Sequence, residues 1–385
     1  MKWYLAAIIM CLTRLAYGQT CDSNANANRV MYYARYNTPG IVVVSAHRGY
    51  WEYVPEGTTQ SIDAAETFPI CSEMVEMDLR MTLDGVVVPG HDWGLERLTT
   101  GYGCVYDMPY HNYLKLFLKD RTGKGTNIPV QNLSDYLDKM LQYPNMVLAI
   151  DCKDAASAKY GLKPQSEYPT SYAVLRATWA AIIAYEQAHT VALNGKLLRD
   201  RIVFKVRYPE LPSSPAIVMT DLGITTFDAI YTSQSTHLNI LPILYSQDPS
   251  QPNYAAIEAA YPTGSFLWFP EAVVNFPGDQ LQSYLSNASS SSPIQNVTAF
   301  SPSPDWPEGT SMGSGQCCRT RETQFPFVID PTTTATINST FTGDFEYLWF
   351  QGFHWISTDK VRDAQAYLQA RGQRNAAMFD GPNLY

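Results

Sequence analysis

Four short stretches hold the residues whose types and spacing could do chemistry. Ser45-Ala46-His47-Arg48-Gly49 closes an apolar run with an imidazole that can move a proton and a guanidinium whose planar fork matches two phosphate oxygens. In Val75-Glu76-Met77-Asp78-Leu79-Arg80 the strand period of two puts Glu76, Asp78 and Arg80 on one face and the apolar residues on the other. Two carboxylates facing an interior are costly unless paired or bound to metal, and their oxygens suit a hard cation; ion pairing with Arg80 or Arg48 is the plainer reading. Asp84-Gly85 marks a turn that carries Val86-Val87-Val88-Pro89-Gly90 back toward those carboxylates and ends on His91-Asp92. Leu148-Ala149-Ile150-Asp151-Cys152-Lys153 repeats the alternation, with Asp151 and Lys153 sharing a face and Cys152 directed outward as a core thiol. Each stretch is weak by itself. Together they supply carboxylates for a divalent cation, fixed positive charges for a phosphate and two proton-transfer groups, the equipment of phosphate-ester chemistry.

Those groups can meet only if the strands carrying them run parallel and end on one face. The predicted strands are Ile41–Ala46, Met74–Leu79, Met146–Asp151, Arg201–Val206, Ala216–Thr220, Asn239–Tyr245, Ser265–Phe269, Asn296–Phe300 and Phe353–Ser357. Helices are predicted over Thr59–Thr67, Leu133–Gln142, Ser171–Ala188, Asn253–Ala260, Gln280–Leu285 and Lys360–Gln369. Val/Ile-rich strands separated by helices indicate parallel βαβ units. In a chain of 385 residues they favour a single (β/α)8 TIM barrel over a doubly wound open sheet. The barrel is expected over residues 38–375, with long βα loops and a Ser/Thr/Pro-rich insertion at about 301–345, before the last strand.

The motifs resemble those of the glycerophosphodiester phosphodiesterase family, within the phospholipase C-like phosphodiesterase barrels. Ala46-His47-Arg48-Gly49 with Pro55-Glu56-Gly57-Thr58 looks like its opening H-R-G … P-E-N-T block, and Glu76 through Gly85 looks like its E-x-D-[VL]-x-x-T-x-D-G block. His91-Asp92, Leu95, Arg97 and Thr99 resemble the H-D-x-x-L-x-R-x-T block, Ile128-Pro129-Val130 the I-P-T stretch, and Gly352 through Asp359 the closing strand. The resemblance implies that His47 and His91 form the acid/base pair, that Glu76, Asp78 and Asp151 hold Ca2+ or Mg2+, and that Arg48 and Lys153 contact the phosphate. Glu56 would stand at the margin of that site. It further implies attack on phosphorus by a neighbouring hydroxyl of the substrate, through a cyclic phosphate, on a small-molecule or lipid-derived phosphodiester. Two departures bear on substrate and metal: Gly57 replaces the usual Asn, and Asp151 replaces a Glu one methylene longer. A barrel acting on lysophospholipid or sphingomyelin-like head groups is the near alternative, with Trp51, Tyr53, Trp93, Tyr102 and Trp268 as its candidate mouth aromatics. A catalytically inactive secreted binding protein and a sugar-cleaving barrel built on Glu271 are the more distant ones.

Composition narrows the setting. Lys plus Arg number 27 against 36 Asp plus Glu, a net charge of −9 that disfavours nucleic acid and anionic membrane surfaces as partners. Lys2, the apolar stretch Leu5–Met10 and the small residues Ala16 and Gly18 read as a secretory signal peptide over residues 1–18, so the protein is expected to be extracellular. No later run is long and apolar enough to span a membrane. With Cys11 removed, six cysteines remain (Cys21, Cys71, Cys104, Cys152, Cys317 and Cys318), an even number that favours some disulfides in an exported chain. Asn132, Asn287, Asn296 and Asn338 head Asn-x-Ser/Thr glycosylation sequons. The sequence sets no oligomeric state.

Overall fold

The computed structural model describes residues 26–154 (except 37, 68 and 121), 164–224, 238–245, 259–261, 271–273, 298–300, 327–329, 336–338 and 353–384. Eight strands dominate it: β1 (Val43–Ala46), β2 (Met74–Met81), β3 (Val147–Cys152), β4 (Ile202–Arg207), β5 (Ile240–Tyr245), β6 (Glu271–Val273), β7 (Thr298–Phe300) and β8 (Trp355–Thr358). Each pairs in parallel with the next, and β8 pairs with β1, so the ring closes and the expected TIM barrel is present. The helices described are α1 (Ala27–Arg35), α2 (Thr59–Glu66), α3 (Leu133–Gln142), α4 (Ser171–Ala188), α5 (Pro215–Asp221) and α6 (Val361–Ala370), besides two single turns.

Alternation along the strands divides the core into two layers. Val75, Met77, Leu79, Leu148, Ile150, Cys152, Phe204 and Val206 point outward and pack against the helices, among them Leu137 of α3 and Leu175 of α4. Val43, Met74, Val147, Ala149, Val203, Leu241 and Trp355 point inward at the N-terminal end of the barrel, where Val30 and Met31 of α1 close the floor. The inward positions further along the same strands are Glu76, Asp78, Asp151 and Lys205. One end of the interior is therefore apolar and the other charged, and that change of side-chain chemistry along period-two rows fixes where chemistry can occur.

Ala216–Thr220, predicted as a strand, is the helix α5. Ser214 and Pro215 start it, and Val218 is buried while the adjacent Ile217 is 43% exposed. Three β-branched residues, Ile217, Val218 and Thr220, suggest a strand, but proline at the first helical turn and one-sided burial decide for helix. The predicted strand Ser265–Phe269, residues 253–258 of the helix expected over Asn253–Ala260, the helix expected over Gln280–Leu285 and most of the expected insertion lie outside the described residues. Two strands inside the insertion, Phe327–Ile329 and Thr336–Asn338, pair antiparallel. The Asp84-Gly85 turn does return the chain: Val87–Pro89 pairs antiparallel with β2, Met81 opposite Val87 and Leu79 opposite Pro89, with Gly85 at φ 82°. No helix among the described residues is long and apolar enough to cross a membrane. Cys104 and Cys152 are free thiols, so any disulfide draws on the other cysteines.

Candidate functional site

His47 stands one residue beyond β1, and its backbone N–H donates to the Thr358 carbonyl at 3.2 Å, continuing the β1–β8 ladder. The chain then turns sharply. Arg48 adopts φ 56° and Gly49 φ 74°, and a Cβ on Gly49 would come within 2.3 Å of the Ser61 hydroxyl, so the close approach of α2 demands glycine there. Arg48 is left in a conformation costly for a side chain larger than glycine. Ser61, which donates to the Arg48 carbonyl at 3.1 Å, and Gly57, whose N–H donates to the same oxygen at 3.0 Å, hold it there.

On β2, Glu76 and Asp78 face inward as the alternation requires, and the register sets Asp78 beside Asp151 and Asp151 beside Lys205 across three adjacent strands. Oxygens of Glu76, Asp78 and Asp151 lie within 4.8 Å of one another, all three residues buried. Two donors on opposite sides of one Ca2+ would be about 4.6–5.2 Å apart, so the triad fits a single hard cation. The Oδ1 atom of Asp78 is buried and receives no hydrogen bond, although the Lys153 ammonium stands 3.1 Å away; it is an oxygen with a lone pair to offer. The shorter Asp151 side chain still reaches, because its strand lies directly beside β2.

Positive groups surround these oxygens. The Arg48 backbone N–H donates to Glu76 at 3.1 Å and its guanidinium lies 3.4 Å from Asp78 and 3.0 Å from Glu56. Lys153 also pairs with Asp151. Burial would raise the Asp78 carboxyl, but Lys153, His91, Arg48 and His47 together hold it well below the usual carboxylate range. Arg80, the expected competitor for the carboxylates, turns away and donates to the carbonyls of His91 and Asp154.

The two histidines are in opposite electrostatic states. The His47 Nδ1 atom lies 2.7 Å from Asp359, which also accepts from Trp51 Nε1 at 3.1 Å. Burial opposes its protonation, but Asp359 and Glu76 outweigh burial and the Arg48 charge and push its pKa up to about 9. His91 is held through Nδ1 by Asp92 at 2.7 Å, yet burial, Arg48 and Lys153 push its pKa well below 6.5. Near neutral pH one imidazole is a cation and the other a neutral base. Asp92 is itself held: Arg97 donates to it at 2.6 Å and to both oxygens of Glu56 at 2.8 and 2.7 Å. Beside His91 a cleft opens, with Asp78, Gly57, Leu95 and Gln131 in its lining.

Asp359→Asn is expected to lower the His47 titration midpoint, followed by NMR, from about 9 by about 1 to 3 pH units, the range for one close opposite charge. Because the folded value lies above the ordinary 6.5, the pair stabilises the fold fully below pH 6.5 and this stability is lost as pH rises through about 9. An unchanged midpoint would remove Asp359 as the cause.

The structure thus brings His47, Arg48, Glu56, Glu76, Asp78, His91, Asp151 and Lys153 into one end of the barrel. Three further residues belong there. Asp359 sits in the closing motif, but nothing in its type marked it as a partner of His47. Lys205 on β4 and Glu271 on β6 form a buried ion pair at 3.0 Å, and Lys205 lies 3.0 Å from Glu76; the signal available was a lysine at an inward position of a predicted strand. Of the mouth aromatics, Trp51 is buried on Asp359, Tyr53 and Tyr102 are 79% and 80% exposed, and Trp268 lies outside the described residues. Gly57 has φ 62°, a conformation open to Asn as well as Gly, so the departure there removes an amide without reshaping the loop. Asn132 caps α3, accepting from Asp135 N–H at 3.2 Å; Asn287 and Asn296 lie outside the described residues, and Asn338 ends a described strand.

Residues 47–183 match the Glycerophosphoryl diester phosphodiesterase family. The chain is 28% identical over 354 residues to an uncharacterised protein of Sinorhizobium fredii, covering 88% of this chain and 86% of that one. It is 33% identical over 159 residues to the glycerophosphodiester phosphodiesterase of Bacillus subtilis, a stretch covering 39% of this chain and 52% of that enzyme. Among solved structures, a glycerophosphoryl diester phosphodiesterase from Parabacteroides distasonis superposes with TM-score 0.52 at 14% identity, covering 92% of this chain and 93% of that one. At that identity the superposition establishes the fold and nothing finer.

Proposed function

The chain belongs, through residues 47–183, to the glycerophosphoryl diester phosphodiesterase family of phosphoric diester hydrolases, and on that premise we propose that it is a secreted, divalent-cation-dependent enzyme that cleaves glycerophosphodiesters with His47 and His91 as its acid/base pair. The observation that carries this reading is the cluster of Glu76, Asp78 and Asp151 oxygens within 4.8 Å of one another, at the barrel end where His47 and His91 are each held through Nδ1 by a carboxylate at 2.7 Å.

Neutral His91 takes the proton from the substrate hydroxyl that attacks phosphorus, and cationic His47 gives its proton to the departing oxygen. A cyclic phosphate and a free alcohol result. In the second half the roles reverse: His47 takes a proton from water and His91 returns one to the ring oxygen, giving glycerol phosphate and the starting protonation state. Asp359 and Asp92 keep each ring's Nδ1 occupied, so Nε2 is the nitrogen that moves protons. Arg48 and Lys153 bind the phosphate oxygens. When bound by Glu76, Asp78 and Asp151, the cation neutralises charge on the phosphoryl group.

The exposed Tyr53 and Tyr102 favour a second reading of the substrate, a lysophospholipid or sphingomyelin-like diester whose lipid part stays on phosphorus while the head-group alcohol leaves. Export rests on the residues 1–18 pattern, and the sequons gain meaning from it. Turnover on a panel of water-soluble glycerophosphodiesters and choline lysolipids, with excess Mg2+ or Ca2+ and after EDTA, tests the proposal. Glycerol phosphate release from the soluble diesters that EDTA abolishes is expected. Turnover of lysolipids alone would move the assignment to the lipid reading, and EDTA-resistant turnover would remove the metal.

A further inference from the structure

The Lys205 ammonium has no place in the scheme of two histidines, three ligands and two phosphate-binding cations. It is nonetheless buried in the barrel, 2% exposed. It lies 3.0 Å from Glu76, 3.0 Å from Glu271 and 3.9 Å from Asp151. Two of those three carboxylates are the proposed metal ligands. Glu271, on β6, contributes nothing to the triad and is itself buried. A buried ammonium and carboxylate are kept only when each compensates the other, and here the pair is arranged so that the ammonium is shared between Glu271 and the ligands.

We propose that Lys205, anchored by Glu271, is a positioning residue for the metal centre: it holds Glu76 and Asp151 toward the site before the metal arrives, and its charge keeps the affinity for that metal low. The proposal rests on the metal reading above. Without Lys205, Glu76 and Asp151 would repel one another and Glu271 across the barrel interior. With it, the triad is preformed, and an arriving cation meets fewer uncompensated negative charges. Glu271 draws part of the ammonium's pull away from the ligands, so the two members of the pair act on the metal in opposite directions.

That opposition is the test. Titration calorimetry with Mg2+ and with Ca2+ alone, on wild type, Lys205→Met and Glu271→Gln, reads affinity and stoichiometry; melting with and without each ion reads coupling to the fold. Wild type is expected to take one ion. Lys205→Met is expected to bind it more tightly, on the order of ten- to a hundredfold given a charge removed at such range, and to melt lower without metal but gain more from it. Glu271→Gln is expected to bind on the order of tenfold more weakly, since Lys205 then pairs with the ligands alone. Where Lys205→Met does not fold without metal, Glu271→Gln, which keeps the ammonium, decides by itself. A merely structural ion pair would lower stability in both variants and leave affinity unchanged or shift it the same way; either result overturns the proposal while the metal reading stands. No binding of either ion to folded wild type overturns the metal reading and this proposal with it.

Discussion

His91→Ala is expected to lower kcat on a glycerophosphodiester by about 10²- to 10⁴-fold, the usual contribution of a positioned general base, with metal binding and melting temperature close to wild type. His91 is only partly buried, and its contacts are made at the edge of the barrel mouth: Nδ1 to Asp92, and its backbone carbonyl, which the substitution keeps, to Arg80. Removing the ring therefore deletes the proposed proton acceptor without opening the core. Since the group is held neutral by burial, Arg48 and Lys153, wild-type kcat should also stay on its plateau down to a pH below 6.5 and fall only beyond that, and the variant should lose this acid limb. A drop of less than tenfold, or an acid limb that survives the substitution, would assign the proton transfer elsewhere. KM is expected to change little, because Arg48 and Lys153, the proposed phosphate-binding groups, remain.

Asp78→Asn is expected to act on both activity and fold. Asp78 is the carboxylate on which Lys153 at 3.1 Å, Arg48 at 3.4 Å and both histidines converge. Neutralising it removes a proposed metal ligand and leaves buried Arg48 and half-buried Lys153 short of a counter-charge, a class of change that costs about 3–5 kcal/mol where the pair is fully buried. Turnover should become undetectable against wild type at any Mg2+ or Ca2+ concentration, and the melting temperature should fall and no longer rise on adding either ion. The pH dependence has a definite sign. A carboxyl whose folded pKa is depressed stabilises the fold above its unfolded value of about 3.9 and loses that contribution as pH falls toward the folded value. Wild type should therefore lose stability on acidification below about pH 4, and Asp78→Asn should lose less. A variant that still binds metal with wild-type affinity would take Asp78 out of the centre.

The motif blocks and the period-two alternation already place His47, Arg48, Glu76, Asp78, His91, Asp151 and Lys153, and each of them lies at the charged end of the barrel. Local rules suffice for them. Strand alternation fixes the face, the Asp84-Gly85 turn fixes the return of His91, and the parallel βα rhythm fixes which strand ends meet. Cys152 follows from the same alternation, buried among outward core residues with its thiol pKa raised by burial. The helices α3 and α4 match their expected bounds because caps and apolar periodicity are local too: Asn132 and Asp135 form a reciprocal cap, and Thr170 caps α4.

The tertiary structure alone decides the partnerships. Asp359 lies 312 positions from His47, and the ion pair that makes His47 a cation exists only because β8 closes the barrel against β1. Lys205 and Glu271 look in sequence like a strand lysine and an isolated acid; the curled sheet puts the lysine 3.0 Å from both Glu271 and Glu76, the latter 129 positions away. The opposed states of the two histidines cannot be read from the sequence either, since each carries a carboxylate partner at 2.7 Å, and the difference lies in which further charges reach it. A pKa sums the charges around a group; the sequence determined which groups are present and on which face of each strand, and only the closed barrel set the distances that decide the sum.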